Sequence, residues 1–362
     1  MPDHRPDTPP NIVFVLTDDQ GYGDLGCTGN PWLQTPHIDA LHDDSIRCTD
    51  YHVSPLCTPT RGALMTGRYP LRNGAWATAW GRSVLRREET ILPELLAAGG
   101  YRTGMFGKWH LGDNAPYRPQ DRGFETVLAH KGGGVGQTPD FWGNNYFDDT
   151  YFRNGESVSC DGYCTDIWFD AALTFIEKHR DQPFFCYLAT NAPHAPYLVA
   201  DRYRQPYENN PRIPEPAFYG MIANIDDNMG RLLEHLRKLQ LEDNTIVIFM
   251  TDNGTSGGWR EATAQGYNAG MRGTKSSYYD GGHRVPFFLR WPAAGMNGGR
   301  DVHELTAHVD VLPTLLDLCG LPRPEGVELD GTSLAPLLRG EARRLPDRSI
   351  FVQYRQSTEP PE

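Results

Sequence analysis

Four runs of strand length, three of them apolar, each emptying into charged or amide residues, constrain this chain more than any other feature. Asn11 to Leu16 runs into Thr17-Asp18-Asp19-Gln20-Gly21, and Tyr101 to Phe106 into Gly107-Lys108-Trp109-His110-Leu111-Gly112. Pro183 to Ala189 leads to Asn191-Ala192-Pro193-His194-Ala195-Pro196, and Thr245 to Met250 to Thr251-Asp252-Asn253-Gly254. The apolar runs at 11–16, 183–189 and 245–250 predict strands buried on both faces, the parallel-sheet type, and Tyr101 to Phe106 also reads as a strand. Helical spacing alternates with them: Leu92 to Ala98 closed by Gly99-Gly100, Asp166 to His179, Met221 to Leu239 and His308 to Asp317. Phe287 to Trp291 predicts one more strand. The predicted class is therefore α/β, a large, mostly parallel central sheet flanked by helices. Ligands of such sheets gather at the carboxyl ends of strands, so the residues just after each run are the site candidates.

Composition narrows the function. The chain has 362 residues, 39% hydrophobic and 11% aromatic, enough for a large core. With 34 basic against 46 acidic residues the net charge is −12, which argues against a nucleic-acid or anionic-membrane binder. An anionic substrate must be held by local positive charge. No apolar run approaches bilayer length, and the polar start, Met1 to Pro10, shows no signal peptide. Seven scattered cysteines suggest reduced thiols. A cytoplasmic location is expected for the sequence as written, or a periplasmic or secreted one if a leader was removed. Cys160 and Cys164 lack a second pair, so no zinc site is expected there.

The stretch Cys57-Thr58-Pro59-Thr60-Arg61-Gly62 sits before a helical run that stops at Gly67. Pro59 falls where a first helical residue would be, which places Cys57 at the helix mouth. Backbone N–H groups and the helix dipole favour an anion there, and Arg61 lies one turn along. A helix-capping loop holding a buried cysteine is the plainer reading. Asp18 and Asp19 repel each other at a strand end unless a cation sits between them, although Asp-Asp before Gly also suits a solvated turn. Lys108 and His110 alternate, so on extended backbone they would project to one face.

The pattern C-x-P-x-R-G at Cys57 resembles the signature of the type I sulfatases, in the alkaline-phosphatase-like superfamily. Gly107-Lys-Trp-His-Leu-Gly112 is similar to a second motif of that family, and the Gly273-x-Lys275 and Gly281-Gly-x-Arg-Val-Pro286 segments to its last active-site stretch. The matched motifs run in order from Asn11 to about Leu338. The resemblance implies a sulfuric ester hydrolase in which Cys57 is converted to formylglycine by a maturation enzyme. It implies Asp18, Asp19, Asp252, Asn253 and the modified Cys57 as metal ligands. That all-oxygen set suits Ca²⁺, or Mg²⁺, and not Zn²⁺. Arg61, Lys108 and Lys275 would hold the sulfuryl oxygens. His194 would serve the leaving oxygen, and His110 would help expel sulfate.

The substrate is expected to be a sulfate monoester, aryl or carbohydrate, chosen by long loops near 76–82 and 130–165. Trp142, Asn144 and Tyr146 are candidates to stack on or bond a sugar or aryl group, against plain loop packing, and His283 is a pocket candidate. A phosphonate monoester or phosphodiester hydrolase of the same superfamily, or a non-catalytic sulfated-glycan binder, are the alternatives. The domain reading is a disordered tail over 1–10, a catalytic unit over 11–340, and the start of an incomplete C-terminal antiparallel subdomain over 341–362, with Ser349 to Arg355 as its first strand.

Overall fold

The computed structural model describes residues 8–78 and 84–354. Most of the expected tail (1–7), part of the 76–82 loop and Arg355 lie outside them.

Ten strands form one sheet. In chain order they are β1 (Asn11–Thr17), β2 (Ile46–Cys48), β3 (Arg102–Lys108), β4 (Thr126–His130), β5 (Thr150–Arg153), β6 (Glu156–Ser159), β7 (Phe184–Ala189), β8 (Thr245–Thr251), β9 (Phe287–Arg290) and β10 (Arg300–Val302). Their spatial order is β10-β2-β9-β8-β1-β7-β3-β4-β5-β6. The central five, β8-β1-β7-β3-β4, are parallel throughout. Antiparallel strands extend the sheet on both sides, with β9 against β8 and β5 against β4. The expected parallel core is present, with β1 held between β8 and β7.

Alternation along β1 divides the core in two. Ile12, Phe14 and Leu16 face the layer that holds α2 (Cys57–Thr66), α3 (Leu92–Ala98) and α6 (Val311–Cys319). Val13 and Val15 face the layer with α1 (Pro36–Asp43), α4 (Cys164–Lys178) and α5 (Pro216–Lys238), through Ile38, Trp168, Phe175, Ile225, Met229 and Leu232. Helix α5 starts five residues earlier than its apolar stripe suggests, because Pro216 opens it at the first position. Strand β4 leads into the stretch read as loops, and β5 and β6 fall inside it. β4 is five residues long and mostly buried, β5 and β6 are four residues each and only partly buried, so the three carry little of the extended apolar signal by which strands are recognised.

The region after 340 departs from expectation. Ser349 to Tyr354 forms no strand. It folds back over the main unit instead: Arg348 pairs with buried Asp310 at 2.9 Å, Phe351 packs edge-on against Tyr69, and the Tyr354 hydroxyl donates to the Ser276 carbonyl. The small antiparallel ribbon that is present, Trp259–Arg260 with Gln265–Gly266, lies inside the main unit.

Candidate active site

The parallel pairing of β1 and β8 puts Thr17 opposite Thr251, so the residues that follow arrive side by side. The ladder continues one step, with Asp252 N–H donating to the Thr17 carbonyl at 3.1 Å. Asp19 N–H then donates to Asp252 Oδ1 at 3.1 Å. On the other flank Asp18 N–H donates to the Ala192 carbonyl beyond β7. Asp19 itself sits at φ 66°, the left-handed turn that separates the two carboxylates. Asp18, Asp19, Asp252 and Asn253 thus meet at the carboxyl ends of adjacent central strands, and all four are buried.

Helix α2 brings Cys57 to the same place. It begins at Cys57 itself, with Leu56 as its cap, so Pro59 is the third helical residue and not the first. Pro59 still lies in the first turn, where its missing N–H leaves no helical bond unmade. Gly67 closes the helix in the left-handed conformation, as the sequence indicates. Cys57 Sγ and one carboxylate oxygen each of Asp18 and Asp252 lie within 4.8 Å of one another.

Three cations balance the three acids. Lys108, the last residue of β3, reaches Asp18 Oδ2 at 2.5 Å. Arg61 donates from Nε and Nη2 to Asp252 Oδ2 at 3.0 and 2.8 Å, and from Nη1 to the Lys108 carbonyl at 2.9 Å. Lys275 bonds both oxygens of Asp19, at 2.6 and 2.7 Å. Arg61 and Lys108 are wholly buried, whereas the Lys275 side chain keeps 20% of its exposure and His194 14%. The site therefore has a dry floor and a mouth. Arg61 differs from its expected role: at least three of its donors are committed to protein acceptors, so it orients Asp252 and β3 more than it offers a free fork to substrate.

The histidines are placed by turns and not by strand alternation. Strand β3 ends at Lys108, and His110 follows at φ 58°. Its carbonyl accepts from Thr58 Oγ1 at 3.2 Å, tying it to α2, and its ring lies against Gly133, where a Cβ would come within 2.9 Å. The shared face expected of Lys108 and His110 does not exist as an extended segment. The left-handed residue turns the imidazole toward the same site by another route. His194 donates Nδ1–H to the Ala195 carbonyl at 2.6 Å, leaving Nε2 toward Asp19 Oδ2 at 3.7 Å.

Charge states follow from these surroundings. Burial pushes Asp252 up to about 6, reinforced by Asp18 and opposed by Arg61. Burial opposes ionisation of Asp19 too, but Lys275, His194 and Lys108 overcome it and hold the carboxyl well below its ordinary range. Burial lowers His194 to about 4 and His110 well below the usual imidazole value, so both are neutral near pH 7. Burial raises the Cys57 thiol, against the pull of Lys108 and Lys275. An unmodified Cys57 is thus a protonated thiol, a poor nucleophile and a poor ligand.

The donor set fits a hard divalent cation. Asp18 Oδ1 and Asn253 Oδ1 are buried and have no hydrogen-bond partner among the described residues. Buried polar atoms are rarely left so, and two carboxylates with an amide oxygen match oxygen-preferring ions. Asn253 Nδ2 donates to Asp19 Oδ1 at 2.9 Å, which aims its own carbonyl oxygen away.

Three expected pocket residues stand elsewhere. His283 has both ring nitrogens engaged, Nδ1 with His52 Nδ1 at 2.9 Å and Nε2 with the Tyr278 carbonyl at 3.1 Å, so it is not free to bind substrate. Tyr146 is fully buried, and its hydroxyl donates to the His194 carbonyl at 3.0 Å. It steadies His194 and cannot stack on a sugar. Asn144 is bonded to Asp140 and Thr150 within its own loop. Trp142 is 96% exposed. Sequence reasoning missed Thr58 and Gly133, whose only signals are a small hydroxyl inside the cysteine motif and a glycine run.

A sulfatase family model matches residues 10–321. Human N-acetylgalactosamine-6-sulfatase is 34% identical over 97% of this chain and 69% of its own length. Human arylsulfatase A is 34% identical over 95% of this chain and 70% of its own. Among solved structures, Ps i-CgsB in complex with k-i-k-neocarrahexaose superposes with a TM-score of 0.81 at 31% identity, over 91% of this chain and 76% of that one.

Proposed function

The chain belongs to the sulfatase family and is a sulfuric ester hydrolase; on that premise we propose that Cys57 is its nucleophile after conversion to formylglycine, beside a calcium ion. The observation that carries this reading is the convergence of Cys57 Sγ with Asp18 and Asp252 at the N-terminus of α2. Asp18, Asp19, Asp252 and Asn253 would hold the ion. When bound there, the ion would supply Lewis-acid polarisation of a sulfate oxygen, and a hydrate at Cys57 would supply a hydroxyl where the thiol is inert.

The chain's own residues then have distinct tasks. Arg61 fixes Asp252 and screens the like charge of Asp18. Lys108 and Lys275 present ammonium groups from floor and mouth, where sulfuryl oxygens gather charge during the reaction. His110 is neutral, with a buried Nδ1 that has no partner among the described residues, and so can accept a proton. His194 offers Nε2 at the mouth, near the leaving oxygen; burial holds the ring neutral, and Asp19 works against that shift. Cys57 keeps only 2% of its surface, so a maturation enzyme would have to act before this region closes.

For the substrate, a carbohydrate sulfate is the better reading. Relatives sharing a third of the sequence carry hexosamine-sulfatase names, one neighbour was solved with a neocarrahexaose, and Trp142 stands free as an aromatic platform. The test is a panel of sulfated saccharides beside an aryl sulfate and an aryl phosphonate monoester, with metal-replete protein from a host that makes formylglycine. Preferred turnover of a sulfated saccharide is expected. Preference for the phosphonate ester would overturn the reading.

A further inference from the structure

A second cluster of metal-binding side chains lies outside the reaction site. His52 and His283 approach Nδ1 to Nδ1 at 2.9 Å. Each ring's other nitrogen faces an atom that only accepts: His52 Nε2 meets Asp50 Oδ1 at 2.9 Å, and His283 Nε2 meets the Tyr278 carbonyl at 3.1 Å. Both Nε2 atoms must therefore carry the hydrogen. In the neutral rings this leaves two Nδ1 lone pairs pointed at each other, both rings being buried. Such a pair repels unless a proton or a cation lies between.

The surroundings favour a metal ion. An Asp280 carboxylate oxygen lies within 4.8 Å of a ring nitrogen of each histidine, and Asp280 is exposed, which gives an ion a path in. Asp50 on the far nitrogen of His52 supplies the carboxylate-histidine arrangement that orients imidazole ligands in metal sites. Arg284 lies 3.9 Å from Asp50, so that carboxylate is not itself a free ligand. Two imidazoles and one carboxylate form a borderline-soft set with a fourth position for water, unlike the oxygen cage of the reaction site.

We infer that His52, His283 and Asp280 form a second cation site, selective for a divalent transition metal of the zinc type. The site joins two segments that matter to the chemistry. Asp50 to Val53 leads directly into the Cys57 turn, and Tyr278 to His283 follows Lys275. The two are already stitched by Val53 N–H to the His283 carbonyl at 2.8 Å, and Ser276 N–H to the Pro55 carbonyl at 2.9 Å. A bound ion would brace Lys275 against the helix mouth. Metal–nitrogen bonds of about 2.0–2.1 Å in tetrahedral geometry need the two nitrogens a few tenths of an ångström farther apart, a small ring rotation.

The test uses Co²⁺ as probe on the full chain in saturating Ca²⁺, which occupies the oxygen cage. The wild type should show visible ligand-field absorption at one equivalent, displaced by Zn²⁺. The band should vanish in His283→Gln and need at least tenfold more Co²⁺ in Asp280→Asn, whose exposed position leaves folding intact. One equivalent of Zn²⁺ should raise the melting temperature of the wild type and not of His283→Gln. A band unchanged in both variants, or no band with the two rings sharing a proton by nitrogen-15 NMR, would overturn the assignment. None of these readouts depends on turnover.

Discussion

Asp18 and Asp19 are neighbours in sequence and opposites in surroundings. Asp18 faces the floor, where Lys108 and Arg61 are sealed from solvent. Asp19 faces the mouth, where Lys275 and His194 keep part of their exposure. Charges at the floor are strong because nothing screens them, and any loss there leaves a partner stranded. Charges at the mouth can exchange protein partners for water or substrate. One pair of adjacent residues thus separates fixed electrostatics from adjustable binding, through a single left-handed turn at Asp19.

The largest expected effect tests the point where floor and mouth meet. Cys57→Ala should lower kcat by at least about 10⁴-fold, the scale on which enzymes lose a nucleophile, measured by aryl sulfate turnover. Next come the two lysines, which set floor against mouth directly. Lys108→Ala should cost about 10²–10³-fold in kcat, and about 3–5 kcal/mol of stability in metal-free protein, because Asp18 is left buried beside only a distant Arg61. Lys275→Ala should act more on KM than on kcat and destabilise less than Lys108→Ala, since Lys275 keeps part of its exposure and His194 still faces Asp19. Equal stability losses in the two variants by denaturant titration would erase the distinction.

A buried acid with no cation beside it among the described residues is the natural control. Asp24, between Gly21 and Gly258, is pushed up to about 7 by burial, with hydrogen bonds from Thr255 and Gly21 pulling the other way. Its folded-state value lies above the unfolded one, so the proton is held more tightly when folded. Stability from this group is complete below about pH 4 and is lost as pH rises through about 7. Asp24→Asn, which mimics the protonated form, should match the wild type near pH 4 and exceed it by about 2–4 kcal/mol above pH 7. A difference flat with pH would show that Asp24 is compensated after all. The smallest effect belongs beyond the mouth: Trp142→Ala should leave aryl sulfate kinetics unchanged and raise KM for a saccharide sulfate less than about tenfold, about 1 kcal/mol of stacking.

The sequence made the floor legible and the mouth much less so. Buried parallel strands announce themselves by unbroken apolar runs, so Asp18 and Asp252 could be assigned to strand ends from the pattern alone, whereas Lys108 follows a run broken by Arg102, Thr103 and Gly104 and rested also on its motif. What lies between runs depends on backbone turns that residue types barely encode. His110 reaches the site through positive φ and not through alternation, Tyr146 holds His194 from inside the core, and His283 turned to His52. The three strands from Thr126 to Ser159 escaped notice because they are short, and the last two are largely exposed.

The central claim is that Cys57 works as an aldehyde and not as a thiol. Intact-peptide mass spectrometry across Cys57, on protein from a maturation-competent host, tests it most directly when read beside turnover of the same samples. The account predicts thiol-to-aldehyde conversion, with activity in proportion to the converted fraction. Full activity in a sample whose Cys57 is entirely unmodified would contradict it.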